Sequence, residues 1–259
     1  MKKVLLCSIC LCASAASAAE ITHPFYLPER NHVMATLTGE LRAEDYKDDT
    51  GMSTKHRSKT IGGDVKFGVW DNLAVQFMLS NAFVNSRYSF APPYNDDKNI
   101  DWALNALYNV ALDSDWMVQV GGGYGQRESW SYLNHGEHKY LNASAKIGYQ
   151  FDEVVPYLSG YAELPLAHKH QINDPRYVAK LGVYRNYGDI WTGDGGIKLE
   201  YERAYRMQAW SAFAEFGYFL GDSGNFWAGW YGEWMAHGRQ DNGGKAHDIL
   251  GGVKLKAVF

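Results

Sequence analysis

The chain has 259 residues, a formal net charge of −4, 27 glycines and 15% aromatic residues, among them 18 Tyr and 9 Trp. It is too acidic for a nucleic-acid binder. Beyond the N-terminus no stretch reaches the roughly 18 to 20 apolar residues of a spanning helix, so the chain can cross lipid only as a closed barrel that satisfies its own backbone.

Lys2 and Lys3 precede an apolar core over residues 4–12, and Ala16-Ser17-Ala18 forms a small-residue cleavage site. This pattern predicts a signal peptide over residues 1–18, cut after Ala18. The rival is a lipoprotein signal. It is disfavoured because Leu6, Ile9 and Leu11 precede the cysteines Cys7, Cys10 and Cys12, where a small residue is required. All three cysteines leave with the signal, so the mature chain has no thiol to cross-link in an oxidising periplasm. Losing Lys2 and Lys3 takes the formal charge from −4 to −6. Residues 19–31 are expected to form a periplasmic segment. Within it, Pro24 and Pro28 argue against a strand over residues 21–30. That segment lies across the mouth, enters the lumen, or is a disordered leader.

From residue 32 onward, alternating runs are separated by short polar turns: Asp71-Asn72, Asp113-Ser114-Asp115, Asp152-Glu153, a less clear break over 186–195, and Gly221-Asp222-Ser223-Gly224. The spacing fits two tilted strands and one longer loop per unit. Strands are predicted near 32–42, 60–70, 73–84, 100–112, 116–127, 139–151, 155–166, 177–187, 196–203, 207–219, 225–237 and 246–259. The expected fold is therefore all-β: a single transmembrane antiparallel up-and-down β-barrel of about 12 strands over residues 32–259, with 10 to 14 as the range. An even count places both termini and the short turns in the periplasm. The longer outer connections are then 43–56, 89–99, 128–138, 167–176 and 238–245, with a short link near 204–206.

Trp70, Trp116, Tyr149, Phe151, Tyr157, Phe219, Phe226 and Phe259 lie near the proposed periplasmic turns, where a girdle at the headgroup level belongs. In the last strand Ile249, Gly251, Val253, Leu255, Ala257 and Phe259 alternate with residues that include Lys254 and Lys256. This ending resembles the closing strand of bacterial outer-membrane barrels. The resemblance implies that Phe259 is part of the signal read by the barrel-assembly machinery.

With the apolar face outward, the intervening charges become pore-lining candidates: Glu40, Arg42, Asp64, Lys66, Asp101, Arg127, Lys146, Glu163, Lys180, Lys198, Glu200, Glu215, Glu233, Lys254 and Lys256. A Lys or Arg facing lipid at midplane costs roughly 2 to 4 kcal/mol, which drives them inward. There they either line a solvated pore or pair across the lumen and hold it shut.

Tyr46-Lys47-Asp48-Asp49, then Lys55-His56-Arg57 before a glycine-rich alternating strand, resembles the first hairpin of the oligogalacturonate-specific porins (the KdgM/NanC type). That resemblance implies a 12-stranded channel for acidic oligosaccharides. The acids of this lumen depart from the facing basic tracks such substrates require.

Other constellations carry less. His135 and His138 near Ser129 and Ser131 supply ingredients of a lipid hydrolase at the rim. His168-Lys169-His170 lacks further ligands for a metal site. Asn95-Asp96-Asp97 reads as a turn, and Gly121-Gly122-Gly123-Tyr124-Gly125 as room opposite large side chains. Aromatic and polar residues over 87–94 and 130–133 suit a recognition surface.

The sequence thus points to an outer-membrane channel for passive diffusion of small hydrophilic solutes, oligosaccharides among them. It implies no catalytic residue, cofactor, metal or nucleic acid. The expected partners are outer-membrane lipids, the assembly machinery and small polar solutes, and the oligomeric state stays open. The alternatives are a non-conducting structural or surface-recognition barrel and a lipid-modifying enzyme.

Overall fold

The computed structural model describes residues 20–48, 50–89, 94–112, 115–130, 135–166, 175–188, 190–202, 207–221, 224–240 and 243–259. The signal-peptide reading, the His168-Lys169-His170 loop, the 204–206 link and most of the two aromatic loops lie outside these residues, as do the side chains of Asn95 and Asp96.

Twelve antiparallel strands close on themselves: β1 (Val33–Lys47), β2 (Ser53–Trp70), β3 (Leu73–Tyr88), β4 (Tyr94–Val110), β5 (Trp116–Trp130), β6 (His135–Tyr149), β7 (Val154–Pro165), β8 (Arg176–Tyr187), β9 (Trp191–Glu202), β10 (Met207–Phe219), β11 (Phe226–Gln240) and β12 (Lys245–Val258). Each strand pairs with its sequence neighbours. The seam is sealed by β1 against β12, where Leu37 stands opposite Leu255 and Thr38 opposite Lys254.

The period of two sorts the side chains onto two faces. Leu37, Leu41, Ile61, Phe77, Leu104, Leu158, Leu181, Ile197, Leu199 and Val253 are all exposed on the outside. A continuous apolar belt of this size has no stable place in water and matches hydrocarbon. Trp116 and Tyr149 meet edge-on at the short-turn end, as do Phe226 and Phe259. Small inner residues make room for large ones: a Cβ on Gly125 would sit 2.4 Å from the Tyr140 ring, its cross-strand partner.

Several sequence expectations need correction. The strands at the loop end run further than the apolar alternation does. Residues 43–47 and 53–56, expected in a loop, are paired as β1 and β2 around a tight turn. Above the hydrocarbon both faces are wet, so the apolar signal fades while the hydrogen-bond ladder continues. In the same way Arg176 opens β8, and residues 94–99, expected as loop and turn, belong to β4. At the short-turn end, Trp191–Glu202 begins well before residue 196 because Trp191 already pairs with Tyr187. Finally, Tyr157 and Phe219 leave the girdle, because both point inward and are buried.

Candidate functional site

Inside the barrel, polar contacts that skip a strand identify the concave face, because only there do side chains from non-adjacent strands converge. Arg127 on β5 approaches Glu163 on β7 at 3.6 Å. The Tyr157 hydroxyl on β7 donates to Asp194 on β9 at 2.8 Å. Lys198 on β9 pairs with Glu233 on β11, and Lys254 on β12 with Glu215 on β10. Tyr231 on β11 donates to Glu40 on β1 at 3.0 Å. Tyr140 on β6 donates to Asp101 on β4 at 2.8 Å.

The remaining candidates share this face. Arg42 donates to Asp248 at 2.8 Å. Arg127 also contacts Asp101 at 2.8 Å, and Lys256 contacts Glu215 at 3.1 Å. Glu200 holds both Arg176, at 2.6 Å, and Lys198, at 3.2 Å. Lys180 lies over the Phe213 ring. Asp64 keeps one carboxylate oxygen buried without a hydrogen bond among the described residues.

Two zones result. Near the short turns, Lys146 lies within electrostatic reach of Lys66, Lys180 and Lys256, with Asp194 as the acid among them. Toward the loop end a polar cavity of about 340 Å3 is lined by residues including Glu40, Arg42, Glu44, His56 and Asp97. The alternation missed Arg176, Asp194 and Asp248, and also the tyrosines that cap the acids. Parity contained the signal, since Asp194 alternates in step with Lys198 and Asp248 in step with Lys254.

The N-terminal segment forms the second half of the site. Residues 20–32 leave the short-turn end of β1 and cross the mouth. Asn31 N–H donates to Gly68 O at 2.9 Å, and Gly68 N–H to His32 O at 3.0 Å. This approach leaves no room for a side chain, because a Cβ on Gly68 would lie 1.9 Å from Glu29 O. Phe25 is buried against Val155, Tyr157 and Tyr184 on the far wall. Its carbonyl accepts from Asn109 at 2.8 Å, and Lys146 donates to Pro24 O while lying 5.3 Å from the Phe25 ring centroid. The 3-10 turn Glu20–Thr22 then brings Ile21 back to Met34, Phe219, Trp227 and Val258, where it is only 1% exposed. Thr22 Oγ1 and the Tyr184 hydroxyl share a hydrogen bond of 2.8 Å.

His23 sits between these anchors. Its Nε2–H donates to Gln150 Oε1 at 3.2 Å, and its Nδ1 accepts from Phe25 N–H at 3.3 Å. This pattern requires the neutral ring. Burial lowers the His23 pKa below the usual 6.5; the Gln150 bond opposes that shift and nearby Lys146 adds to it.

Among the described residues the rim histidines meet aromatic rings. His135 stacks on Trp130 and His138 on Tyr140, while Ser131 lies outside the described residues. His56, Ser86 and Asp97 do meet, but in the wrong order. The buried Ser86 hydroxyl donates to Asp97 at 3.0 Å and receives the His56 Nδ1 proton at 2.8 Å. A nucleophilic serine instead gives its proton to the imidazole. Among the described residues no cluster of three metal-ligating side chains occurs.

No protein-family model matches the sequence, and no curated protein matches it. Solved structures do match in shape. The COG4313 outer membrane channel from Pseudomonas putida F1 aligns with a TM-score of 0.67 at 11% identity, covering 91% of this chain and 98% of that one. The β domain of the Bordetella autotransporter BrkA gives 0.56 at 11% identity, covering 87% and 99%. The toluene transporter TbuX of Ralstonia pickettii gives 0.51 at 10% identity, covering 94% of each chain. The chain therefore has the fold of bacterial outer-membrane β-barrels.

Proposed function

We propose that this chain is a passive outer-membrane channel for small hydrophilic solutes, with residues 20–32 acting as a plug at its periplasmic mouth. The observation that carries the reading is the wet, ionic interior joined to a segment docked by a few anchors. A purely structural barrel needs no such cavity beside an insertable stopper. The fold it shares with the COG4313 channel and the toluene transporter is compatible with transport, and the charged lumen favours polar cargo here over the toluene named for that relative. Acidic oligosaccharides, implied by the oligogalacturonate-porin resemblance, suit the lysines near the plug but meet Glu163, Glu200 and Glu233 on the way. Uncharged or zwitterionic sugars fit the mixed lining better.

The fifteen charged candidates line the path in this reading, and the signal peptide delivers the chain to the assembly machinery, which reads Phe259. The second reading is a non-conducting recognition barrel, favoured by the burial of Ile21, Phe25 and Leu27 across the mouth. Planar-bilayer recording separates the two. Discrete conductance that grows when residues 20–30 are deleted supports the channel, and silence in both forms overturns it.

A further inference from the structure

One arc of the outer wall differs from the rest. On β2, Lys55, Arg57 and Lys59 keep the outward parity of Ile61 below them, and Arg87 on β3 keeps that of Phe83. All four basic residues are exposed. Lys55 stands opposite Arg87 across the ladder, and Lys59 opposite Phe83. Arg57 is already engaged with Asp45 at 2.7 Å, and the same Asp45 stands opposite Lys55 in the β1–β2 ladder, so one carboxylate is shared by two cations while Lys59 and Arg87 have none. Among the described residues, no carboxylate lies within 4.0 Å of Lys55, Lys59 or Arg87. Elsewhere on the outward rim Lys139 is matched by Glu137 at 2.9 Å. The chain as a whole is acidic, so this cluster is a local feature of one face.

A furrow runs down from it. A hollow of about 310 Å3 lies between Lys55, Arg57, Asn85 and Arg87. It shares Arg57 and Asn85 with a groove of about 620 Å3 walled by Leu41, Phe83 and Ile249 over the small residues Ala43 and Gly251. That groove shares Phe83 with a third recess of about 970 Å3, which descends past Leu79 and Phe77. A recess in a lipid-facing wall accommodates acyl chain, and unpaired cations at the headgroup level attract phosphate. The two chemistries belong to one ligand.

We propose that the furrow over β12, β1, β2 and β3 binds a phosphorylated lipid of the outer leaflet, with acyl chain along Phe83 and Ile249 and phosphate on Lys55, Lys59 and Arg87. This rests on the barrel's membrane orientation and not on its conducting solute.

The test uses the purified mature chain in zwitterionic detergent and native mass spectrometry. The probes are a bis-phosphorylated hexa-acylated diglucosamine lipid, the same lipid without phosphates, and inorganic phosphate. The expected result is selective retention of the phosphorylated lipid. Replacing all three basic residues (Lys55→Gln, Lys59→Gln, Arg87→Gln) should weaken it on the order of 100-fold, about fivefold for each cation. Ala43→Trp, which fills the groove, should weaken both lipid forms. Equal retention of the two lipids, an unchanged triple variant, or displacement by inorganic phosphate at lipid-like concentration would each overturn the proposal. These side chains face outward, so conductance should be unaltered in the triple variant. A protein that binds the lipid but never conducts would refute the channel reading alone.

Discussion

Lys146 on β6 donates a hydrogen bond to the carbonyl of Pro24, 122 positions earlier in the chain. The bond ties the lysine-rich part of the lumen to the segment crossing its mouth. Docking of that segment and the field inside the barrel are thereby coupled.

The Phe25 ring is the main apolar anchor at the far wall. Truncating a buried Phe costs about 3 to 5 kcal/mol, and alanine, unlike a carboxylate, gains nothing from Lys146 beside it. Phe25→Ala should leave a folded, heat-modifiable barrel and raise open probability in bilayers by about tenfold or more.

Gly68→Ala tests the same docking from the opposite wall of the lumen, on β2. The added methyl would meet Glu29 O at 1.9 Å and Pro28 O at 2.3 Å, both backbone atoms. The segment has to lift, so the variant should reproduce the conductance of Phe25→Ala without altering ion selectivity.

Acid should loosen the plug. His23 is neutral when docked, and its pKa is lowered by burial from 6.5. Above 6.5 docked and free rings are both neutral and docking is at full strength. As pH falls below 6.5 the free segment takes the proton first, so docking weakens until the docked ring also titrates. A proton on Nδ1 would also oppose the Phe25 N–H. Conductance recorded across this window should rise toward low pH, and His23→Phe should remove the dependence.

Glu215 is the common partner of Lys254 and Lys256. Glu215→Gln leaves two ammonium groups without their acid, which should move the reversal potential in a salt gradient toward anions. Lys146→Glu should move it toward cations. Equal selectivity in all three proteins would show that these charges lie off the ion path.

The Phe259 ring meets Phe226 edge-on, with centroids 6.0 Å apart. Phe259→Ala should slow insertion by purified assembly machinery several-fold, while detergent refolding changes little, since one exposed aromatic contact is worth about 0.5 to 1.5 kcal/mol.

The strands were legible because alternation in a lipid-facing strand is enforced at kcal/mol cost per residue. The plug was not: two prolines and irregular spacing mark residues 21–30 as non-strand, and nothing local reports that Ile21 and Phe25 find pockets on opposite walls. Tyr157 and Phe219 were misplaced by their nearness to turns, although each keeps step with an inward acid, Glu163 and Glu215 respectively. Parity was the better guide than position. The strand extensions at the loop end were invisible for the opposite reason, since water on both faces removes the pattern that hydrocarbon imposes.

The strand-skipping contacts link up into something larger than pairs. Arg127–Glu163, Tyr157–Asp194, Lys198–Glu233 and Tyr231–Glu40 step from β5 through β7, β9 and β11 to β1. They act as an open brace fastened on the inside of a cask, spanning the wall from β5 round to β1 and leaving the side of β2 to β4 to the backbone rungs. Squeezing the braced side out of round would have to stretch ionic stitches as well as those rungs, so that side should yield less than β2 to β4 to the thickness and lateral pressure of the surrounding bilayer.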